Sequence, residues 1–395
     1  MKIGLTCPAS LPATQFGGIL FLAVDIAREI AKKGHDVRIY TTDLDFANNP
    51  KTFNKKLPKI EEINGFTIIR SHVWFAINLF FVNPSMYFKI IKDKPDLIHS
   101  IGARSFQAFI AAIVAKQKKI PFILSDQGGL TTHPDLMKSG ILKKILYKIQ
   151  TPMIKFVIKQ ATKISVGNEY EKKIFLKFCD ESKIMIIRNG INLDSMKKQN
   201  NNFRSTYNIT NEFLLFVGRF NKVKGIDVLL NAISIIKDEP EMKNKIFVLM
   251  GVDFGFESEM LKMIEKLEIS KKIKVIKNPP REDVINAYSE CKFLVLPSRW
   301  ELSPLTPLEG FAFKKTVISS NTHGIPYVIR NKENGLLVNP EDAKSLALSI
   351  IYLLKNEEKC VKYGLAGYEL VKNICNSKAM ARSTLEMYQE LLQVK

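Results

Sequence analysis

Long apolar runs, patterned cysteines and clustered histidines are all missing from this chain of 395 residues. No stretch reaches the roughly 20 apolar residues that a membrane-spanning helix needs, so we expect no transmembrane segment. Met1-Lys2 leads straight into a predicted strand, which predicts the absence of a secretory signal peptide. The five cysteines are scattered without metal-like spacing. That pattern favours reduced thiols, small core positions and a cytoplasmic chain.

Acidic residues are scarce relative to basic ones, and the imbalance is uneven along the chain. The formal net charge is +20. Residues 1–195 hold 29 Lys/Arg against 16 Asp/Glu, a net of +13, and the remainder holds 30 against 23, a net of +7. Such an excess would suit a nucleic-acid-binding protein. No aromatic-basic recognition motif accompanies it, so we expect no nucleic-acid partner.

The length predicts two domains, because 395 residues are too many for one ordinary core. Strand signals alternate with helical segments throughout, so both halves are predicted to be α/β, doubly wound parallel sheets. The boundary is expected near 190–211, where the sequence turns polar and Asn-rich. The predicted strands are 2–7, 36–42, 67–71, 96–100, 121–126, 163–167, 183–188, 213–218, 246–251, 273–277, 292–297, 316–320 and 335–338.

The most informative stretch follows the predicted strand 292–297. A helix is expected to begin near Pro304 or Pro307, because proline is favoured in a first helical turn. Glu301 then lies just outside the carboxyl end of a strand, where α/β sheets bind ligands, and Glu309 lies one or two turns into the helix. Backbone N–H groups at the helix start can hold an anion, namely those of Ser303, Leu305 and Thr306. Two carboxylates beside an anion hole suit a sugar nucleotide.

Two further segments carry groups suited to phosphate. Arg219 and Lys224, after Gly218, end one predicted strand and open the next helix, where their cationic ends can neutralise a diphosphate. Surface cations near a turn are the alternative interpretation. Gly17 and Gly18 open an early helix and lack a Cβ, so backbone can approach a phosphate or sugar closely, although tight turns also use Gly-Gly.

These segments, in this order, resemble the retaining glycosyltransferases of the GT-B fold, family 4, over nearly the whole chain. The matching motifs are Gly17-Gly18 with Ala27, Lys32, Gly34, His35 and Val37, then Asn189-Gly190-Ile191, then Phe216-Val217-Gly218-Arg219 with Lys224-Gly225-Ile226, then Glu301 with Glu309, and Asn334-Gly335-Leu336-Leu337-Val338. The resemblance implies two Rossmann-like domains facing each other across a cleft. It implies an acceptor domain at 1–190, a linker at 191–210, a nucleotide-sugar domain at 211–375, and a last helix at 376–395 that returns to the first domain.

The resemblance also assigns roles. Arg219 and Lys224 would stabilise the departing nucleoside diphosphate without a metal or other cofactor. Glu309 would accept hydrogen bonds from the ribose hydroxyls, and Glu301 would contact the hydroxyls of the donor sugar. Retention would follow if the leaving phosphate helps deprotonate the acceptor hydroxyl on the same face. Residues between Asn278 and Tyr288 would flank the base, whose identity, like that of the sugar and the acceptor, the sequence does not give.

The sequence departs from the family after the strand 121–126. Many members carry a histidine there, near the reacting sugar, where this chain has Gln127. An amide can hydrogen-bond a sugar hydroxyl but cannot carry a proton, which leaves Asp126 and His133 as possible substitutes. His99 could also face the cleft, although an isolated histidine is more often a packing residue.

Two segments of the first half suggest a membrane surface. Residues 138–163 carry seven lysines and no acid, and apolar residues recur beside them at helical spacing, which predicts a basic amphipathic helix. We favour contact with anionic lipid at the inner face of the cell membrane, and a lipid-linked or membrane-borne glycan acceptor, over a solvated lysine face. The aromatic stretch 72–87 has two open interpretations, a buried helix with a loop or an interfacial surface.

Three other classes of protein remain as alternatives. A sugar-nucleotide epimerase or a phosphorylase can share the two-domain form. The epimerase would need its own acid and base carboxylates, and a phosphorylase of the glycogen type would need a pyridoxal lysine and a far longer chain. A basic nucleic-acid-binding protein would show salt-dependent DNA binding and no turnover of a nucleotide sugar.

Overall fold

The computed structural model describes residues 1–45, 53–77, 79–126, 130, 141–198 and 202–393, without the side chains of Gln15 and 141–149. Its internal contacts divide the chain into two units. The first unit comprises Met1–Gly190 with Ser377–Lys395, and the second comprises Ile191–Asn376. Gln127 and His133 lie outside the described residues, as do Gly128 and Gly129.

The strands of the first unit form a large sheet and a separate hairpin. They are β1 Lys2–Thr6, β2 Asp36–Thr42, β3 Ile60–Ile63, β4 Phe66–Ser71, β5 Phe75–Ile77, β6 Phe80–Val82, β7 Leu97–Ile101, β8 Phe122–Ser125, β9 Lys163–Val166 and β10 Ile184–Ile186. The sheet has the order β10-β9-β8-β7-β1-β2-β4-β3. Its pairs are parallel except β3 with β4, and β5 pairs antiparallel with β6 alone.

The second unit contains one six-stranded parallel sheet. Its strands are β11 Glu212–Val217, β12 Lys245–Gly251, β13 Ile273–Lys277, β14 Leu294–Leu296, β15 Val317–Ser320 and β16 Gly335–Val338. They are arranged in the order β13-β12-β11-β14-β15-β16. Short strands made of Val, Leu, Ile and Phe without polar alternation are typical of a parallel sheet buried on both faces.

Helices follow most strands, as right-handed crossovers between parallel strands require. They are α1 Gly18–Ala31, α2 Met86–Asp93, α3 Phe106–Lys118, α4 Ile141–Gln160, α5 Glu169–Phe175, α6 Phe203–Thr206, α7 Ile226–Ile236, α8 Glu257–Lys266, α9 Arg281–Glu290, α10 Thr306–Ala312, α11 Ala343–Lys355, α12 Glu357–Asn373 and α13 Ser377–Gln393. None of the described helices is long and apolar enough to span a bilayer.

The core of the second unit extends into the segment that the sequence assigned to a linker. Ile191, Phe203 and Ile209 are buried in the same apolar cluster as the strands β11 and β14. In the first unit, α13 packs against α1, and the hydroxyl of Tyr388 lies 2.6 Å from Nδ1 of His99. Four of the five free cysteines are buried, as small core residues, and Cys179 is half-buried.

The predicted strands are confirmed to within one or two residues, whereas three strands were not predicted. These are β3 at the antiparallel edge and the hairpin strands β5 and β6. The hairpin decides between the two open interpretations of 72–87, because Phe75–Ile77 and Phe80–Val82 are strands, so the interpretation of a buried helix there is wrong. The run of Trp, Phe and Ile is rich in residues with high β propensity, which favours strands in this stretch.

Candidate functional site

The candidate site lies where the strand order of the second sheet reverses. From β11 the chain continues outward to β12 and β13, and from β14 it continues in the other direction to β15 and β16. Loops at such a reversal separate, which leaves a crevice beyond the carboxyl ends of the two central strands. Lys224 follows β11 and Glu301 follows β14. The topology therefore brings together two residues that are 77 positions apart in sequence.

Lys224 and Glu301 form an ion pair in which Nζ of Lys224 contacts Oε1 of Glu301. The hydroxyl of Ser298 donates to the same carboxylate oxygen at 3.2 Å. Both charged side chains are less than one-fifth exposed. They line a pocket of about 280 Å³, a volume that includes open solvent. Its walls are formed by Phe216, Val217, Lys224, Leu296, Ser298, Glu301, Pro304, Thr306, Pro307, Ser319 and Ile325.

Two glycines let the loops of this pocket approach closely. Gly225 has φ +65°, and a Cβ there would lie 2.0 Å from the carbonyl oxygen of Pro297. Gly324 donates its N–H to the carbonyl of Glu301 at 2.9 Å, and a Cβ there would lie 1.5 Å from the carbonyl oxygen of Leu302. Any larger residue at either position would push the Lys224 loop or the Glu301 loop away.

Arg299 joins the same two loops from outside the pocket. Its backbone N–H donates to the carbonyl of Val223 at 2.8 Å, and its guanidinium binds the carboxylate of Asp227 at 2.7 and 2.8 Å. The guanidinium also binds Glu341. The hydrogen bonds to Asp227, and next those to Glu341, raise the pKa of Arg299, so its guanidinium stays charged.

Glu309 is buried and held by two partners on the neighbouring helix α9. Its carboxylate accepts from Nη2 of Arg281 at 2.5 Å and from the hydroxyl of Tyr288 at 2.7 Å. Burial, and next the negative charge of Glu309, raise the pKa of Tyr288, which keeps the phenol protonated as a donor. The helix α10 begins at Thr306 with Pro307 in its first turn, as the sequence predicts. Glu309 is therefore fixed before any ligand arrives.

Arg219 lies over an aromatic ring of a neighbouring loop. Its guanidinium carbon stands 5.0 Å from the ring centre of Phe254, which belongs to the loop after β12. Two backbone hydrogen bonds tie the loops together, because the N–H of Phe220 donates to Val252 and the N–H of Phe254 donates to Phe220. Neither Arg219 nor Gly218 is among the residues that line the pocket.

The remaining predicted donor contacts are only partly described by the geometry. Thr306 lines the pocket, and Leu305 immediately precedes α10, which has only seven residues. Binding of an anion by the N–H groups of Ser303, Leu305 and Thr306 stays a prediction. In the first unit, Gly17 has φ +107° and stands just before α1, which begins at Gly18. Its contact with a donor also stays a prediction.

Two histidine and carboxylate candidates of the first unit, His99 and Asp126, lie among the described residues, and both are buried. Asp126 accepts from the N–H of Ala103 at 3.3 Å and of Leu130 at 2.9 Å, so its carboxylate holds the surrounding loops. Nε2 of His99 lies 2.7 Å from the hydroxyl of Ser125, and burial lowers the pKa of His99 to about 3. Of the two interpretations of His99, packing rather than a crevice-facing role is correct.

Sequence reasoning missed Ser298, Arg299, Arg281 and Tyr288 as parts of the site. Arg281 and Tyr288 were named only through the segment 278–288, expected to flank a base. Their spacing of seven residues places both on one face of α9, and that is the one local signal for a shared partner. For Arg299 the signal is tertiary, since its partners Asp227 and Glu341 lie far away in sequence. Ser298 donates to Glu301, only three positions further along the chain.

Two protein-family models match this chain and meet almost end to end. The model described as Glycosyltransferase Family 4 matches residues 16–195, and the model described as Glycosyl transferases group 1 matches residues 197–370. An uncharacterized glycosyltransferase of Methanocaldococcus jannaschii is 27% identical over 303 residues, 75% of this chain and 76% of that protein. An Escherichia coli UDP-Gal:alpha-D-GlcNAc-diphosphoundecaprenol alpha-1,3-galactosyltransferase is 23% identical over 303 residues, 73% and 76% of the two chains.

Solved structures share the fold at low sequence identity. Sucrose-phosphate synthase from Thermosynechococcus elongatus has a TM-score of 0.80 at 20% identity and covers 100% of both chains. Anabaena HepE in complex with UDP-glucose has a TM-score of 0.77 at 16% identity and covers 99% of this chain and 100% of that one. The two Rossmann-like units therefore have the GT-B fold of glycosyltransferases. The chain belongs to the glycosyltransferases of family 4, with a group 1 second half.

Proposed function

We propose that this glycosyltransferase transfers a sugar, with retention of anomeric configuration, from a nucleoside-diphosphate sugar to a hydroxyl acceptor. The observation that carries the proposal is the pocket at the strand-order reversal, where Lys224 is paired with Glu301. On the helix α10 that begins at this pocket, Arg281 holds Glu309. Lys224 and Arg219 would neutralise the charge that develops on the departing diphosphate. Glu309 would accept from the ribose and Glu301 from the donor sugar.

Uracil is the base that the relatives support best. HepE has been solved with UDP-glucose, and the Escherichia coli relative is named for UDP-Gal. In the proposed mechanism a phosphate oxygen of the leaving diphosphate takes the proton of the acceptor hydroxyl as the glycosidic bond breaks. The new bond then forms on the face from which the diphosphate departs, and no protein nucleophile is required.

The first unit would bind an acceptor carried by the membrane, with the protein peripheral at the inner face of the cell membrane. The lysine-rich helix α4 and the net charge of +13 over residues 1–195 support this proposal. The Escherichia coli relative is named for a lipid-linked acceptor, a diphosphoundecaprenol. The same charge would equally serve a soluble anionic acceptor, so the acceptor needs its own test.

The donor is tested by measuring thermal stabilisation by UDP, GDP, ADP, CDP and TDP. We expect one of these nucleotides, with UDP as the first candidate, to raise the melting temperature of the wild type. The same nucleotide should raise the melting temperature of Glu309→Ala by less. The anomeric configuration of the product, read by proton NMR, tests retention. If no nucleoside diphosphate stabilises the wild type, the assignment of the pocket fails. An inverted product would overturn the mechanism and leave the donor site standing.

A further inference from the structure

The hairpin of β5 and β6 exposes a cluster of large apolar side chains on the first unit. Trp74 is 69% exposed and Phe75 is 54% exposed, and Ile77 and Leu79 are each 47% exposed. Four such residues fall within six positions, 74–79. A contiguous exposed apolar patch on a protein surface marks an interaction site more often than a scattered exposed residue does. We call Trp74, Phe75, Ile77 and Leu79 the hairpin patch.

The hairpin that carries the patch is anchored through its second strand, β6. Phe81 is only 3% exposed, and its ring packs on those of Phe16 and Phe53. The side-chain amide of Gln107 donates to the carbonyl of Phe81 at 2.9 Å. An isolated two-stranded hairpin is marginally stable, so this anchoring through β6 is what holds the apolar residues of β5 outward.

A row of aromatic rings connects the hairpin to the basic helix α4. The ring of Phe80 lies 6.0 Å from that of Phe106 at the start of α3. Phe106 lies 6.5 Å from Phe109, and Phe109 lies 5.8 Å from Phe156 on α4. The hairpin and α4 therefore both pack on α3, and they share one region of the first unit.

That region has no acidic residue over three long segments. No Asp or Glu occurs in 63–92, which holds the hairpin, in 97–125, which holds α3, or in 136–168, which holds α4. Lys155 and Lys159 on α4 are exposed, as are Lys116 and Lys118 at the end of α3. An apolar patch bordered by cations complements an anionic lipid bilayer, in which the apolar groups enter the interface and the lysines remain among the headgroups.

We propose that the hairpin patch inserts into the interface of an anionic bilayer while α4 contacts the lipid headgroups. Together they would supply the two membrane signals that stable attachment needs. This inference rests on the proposed function, because membrane contact would bring the enzyme to a membrane-borne acceptor. Its physical basis, the exposed patch beside segments whose sequence lacks acidic residues, is independent of the donor site. A protein partner or a second copy of this chain are the competing occupants.

Tryptophan fluorescence tests insertion directly, because the chain has two tryptophans and Trp300 is buried. The variant Trp300→Phe leaves Trp74 as the sole reporter. We expect its emission to shift to the blue on vesicles of phosphatidylglycerol with phosphatidylcholine, and to be quenched by lipids brominated in the acyl chain. Phosphatidylcholine vesicles alone should give a weaker response. An emission maximum unchanged on anionic vesicles, with no quenching, would overturn the proposal.

Co-sedimentation with the same vesicles tests the energetic role of the patch. Trp74→Thr/Phe75→Thr/Leu79→Thr keeps residues suited to a strand and should partition roughly tenfold more weakly than the wild type. The matched control Ile235→Gln/Leu348→Gln/Val361→Gln removes three exposed apolar residues of the second unit and should partition like the wild type. Equal partitioning of the two triple variants, with both folded by circular dichroism, would contradict the proposal.

Two further measurements separate the outcomes. Light scattering gives the mass of wild type and hairpin variant, and a dimer that dissociates only in the variant, with vesicle binding unchanged, would assign the patch to a second copy instead. Thermal stabilisation by UDP should be the same in the wild type and in the hairpin variant. If UDP and the other diphosphates fail to stabilise either protein while Trp74 inserts, the proposed function fails and the membrane contact stands.

Discussion

In the second unit the charged side chains of the candidate site are held by partners, whereas in the first unit cations and exposed aromatic rings accumulate without nearby acids in the sequence. Glu309 is bound by Arg281 and Tyr288, and Lys224 is bound by Glu301. Residues 136–168 of the first unit, by contrast, contain lysines and no acid. The first arrangement fixes side chains for one small ligand, and the second suits a broad anionic surface.

This difference predicts that the two proposed binding tasks can be separated by mutation. A pocket built from paired charges loses function when one partner is removed, because the other is left buried and uncompensated. A basic surface loses affinity gradually, since each exposed cation contributes a small, salt-dependent amount. The predictions below test this separation, beginning with the largest expected effect.

The largest effect is expected from α4. Replacing Lys143, Lys144, Lys148 and Lys155 by glutamine should weaken binding to anionic vesicles by about 4 kcal/mol in total, since each contact contributes about 1 kcal/mol. Flotation at low salt measures it, and about 0.5 M salt should release the wild type. The control replaces four lysines of the second unit, namely Lys262, Lys266, Lys271 and Lys362, and should still float. A wild type that ignores anionic vesicles at low salt would favour a soluble acceptor.

A somewhat smaller effect, confined to the donor, is expected in the second unit. Arg219→Ala and Glu309→Ala should each cost about 1.5–3 kcal/mol in transition-state or donor binding, the value of a charge-assisted contact. Steady-state turnover and donor affinity measure the loss. Arg330 and Glu333 form an exposed ion pair at 3.6 Å. The matched controls replace each of these two residues by alanine. Near-normal turnover in both site variants would show that these two residues have been assigned to the donor site wrongly.

Acid should destabilise the first unit through His99. Burial lowers the pKa of His99 to about 3 in the folded chain, against about 6.5 when unfolded, so below pH 6.5 the unfolded chain binds a proton that the folded chain does not. Stability should fall by about 1.4 kcal/mol per pH unit as pH decreases from 6.5. The free energy of unfolding of His99→Gln, measured with denaturant, should lack this dependence on pH. The control variant His35→Gln should retain the dependence that comes from His99. If the free energy of unfolding changes with pH in the same way for the wild type and for His99→Gln, the prediction is wrong.

Tyr288→Phe tests how much of the donor site depends on positioning. The phenol hydroxyl donates to Glu309 at 2.7 Å, and its loss should cost about 1 kcal/mol, or roughly fivefold in donor affinity. Because the effect acts through Glu309, it should vanish in a Glu309→Ala background. Additive losses in the double variant would show that Tyr288 contacts the ligand by another route.

The smallest effect is expected from removing divalent ions. Among the described residues, no group of three or more His, Cys, Asp or Glu is arranged to hold a metal ion. We propose that Lys224 and Arg219 supply the positive charge at the diphosphate, so turnover should survive a strong chelator. Loss of turnover in chelator that a single divalent ion restores would assign that charge to a metal.

The sequence predicted the fold well because buried parallel strands are short apolar runs, and thirteen of them were placed correctly. It failed at β5 and β6, where an apolar stretch could be helix or strand. The residues Gln107 and Phe16, which contact Phe81 on β6, lie outside that stretch. Candidate site residues such as Glu301 and Glu309 could be named from their position after a strand and in a helix. Their partners could not, because strand order determines which loops meet.

The sequence by itself determined the alternation of strands and helices, the family and the positive charge of the first half. Those properties depend on residue type and local spacing, which the chain carries directly. Only the tertiary structure decided that Arg281 and Tyr288 hold Glu309, that Arg299 joins two loops, and that the aromatic hairpin faces outward beside α4. Each of these depends on contacts between residues far apart in sequence, and such contacts exist only after the sheets have ordered their strands.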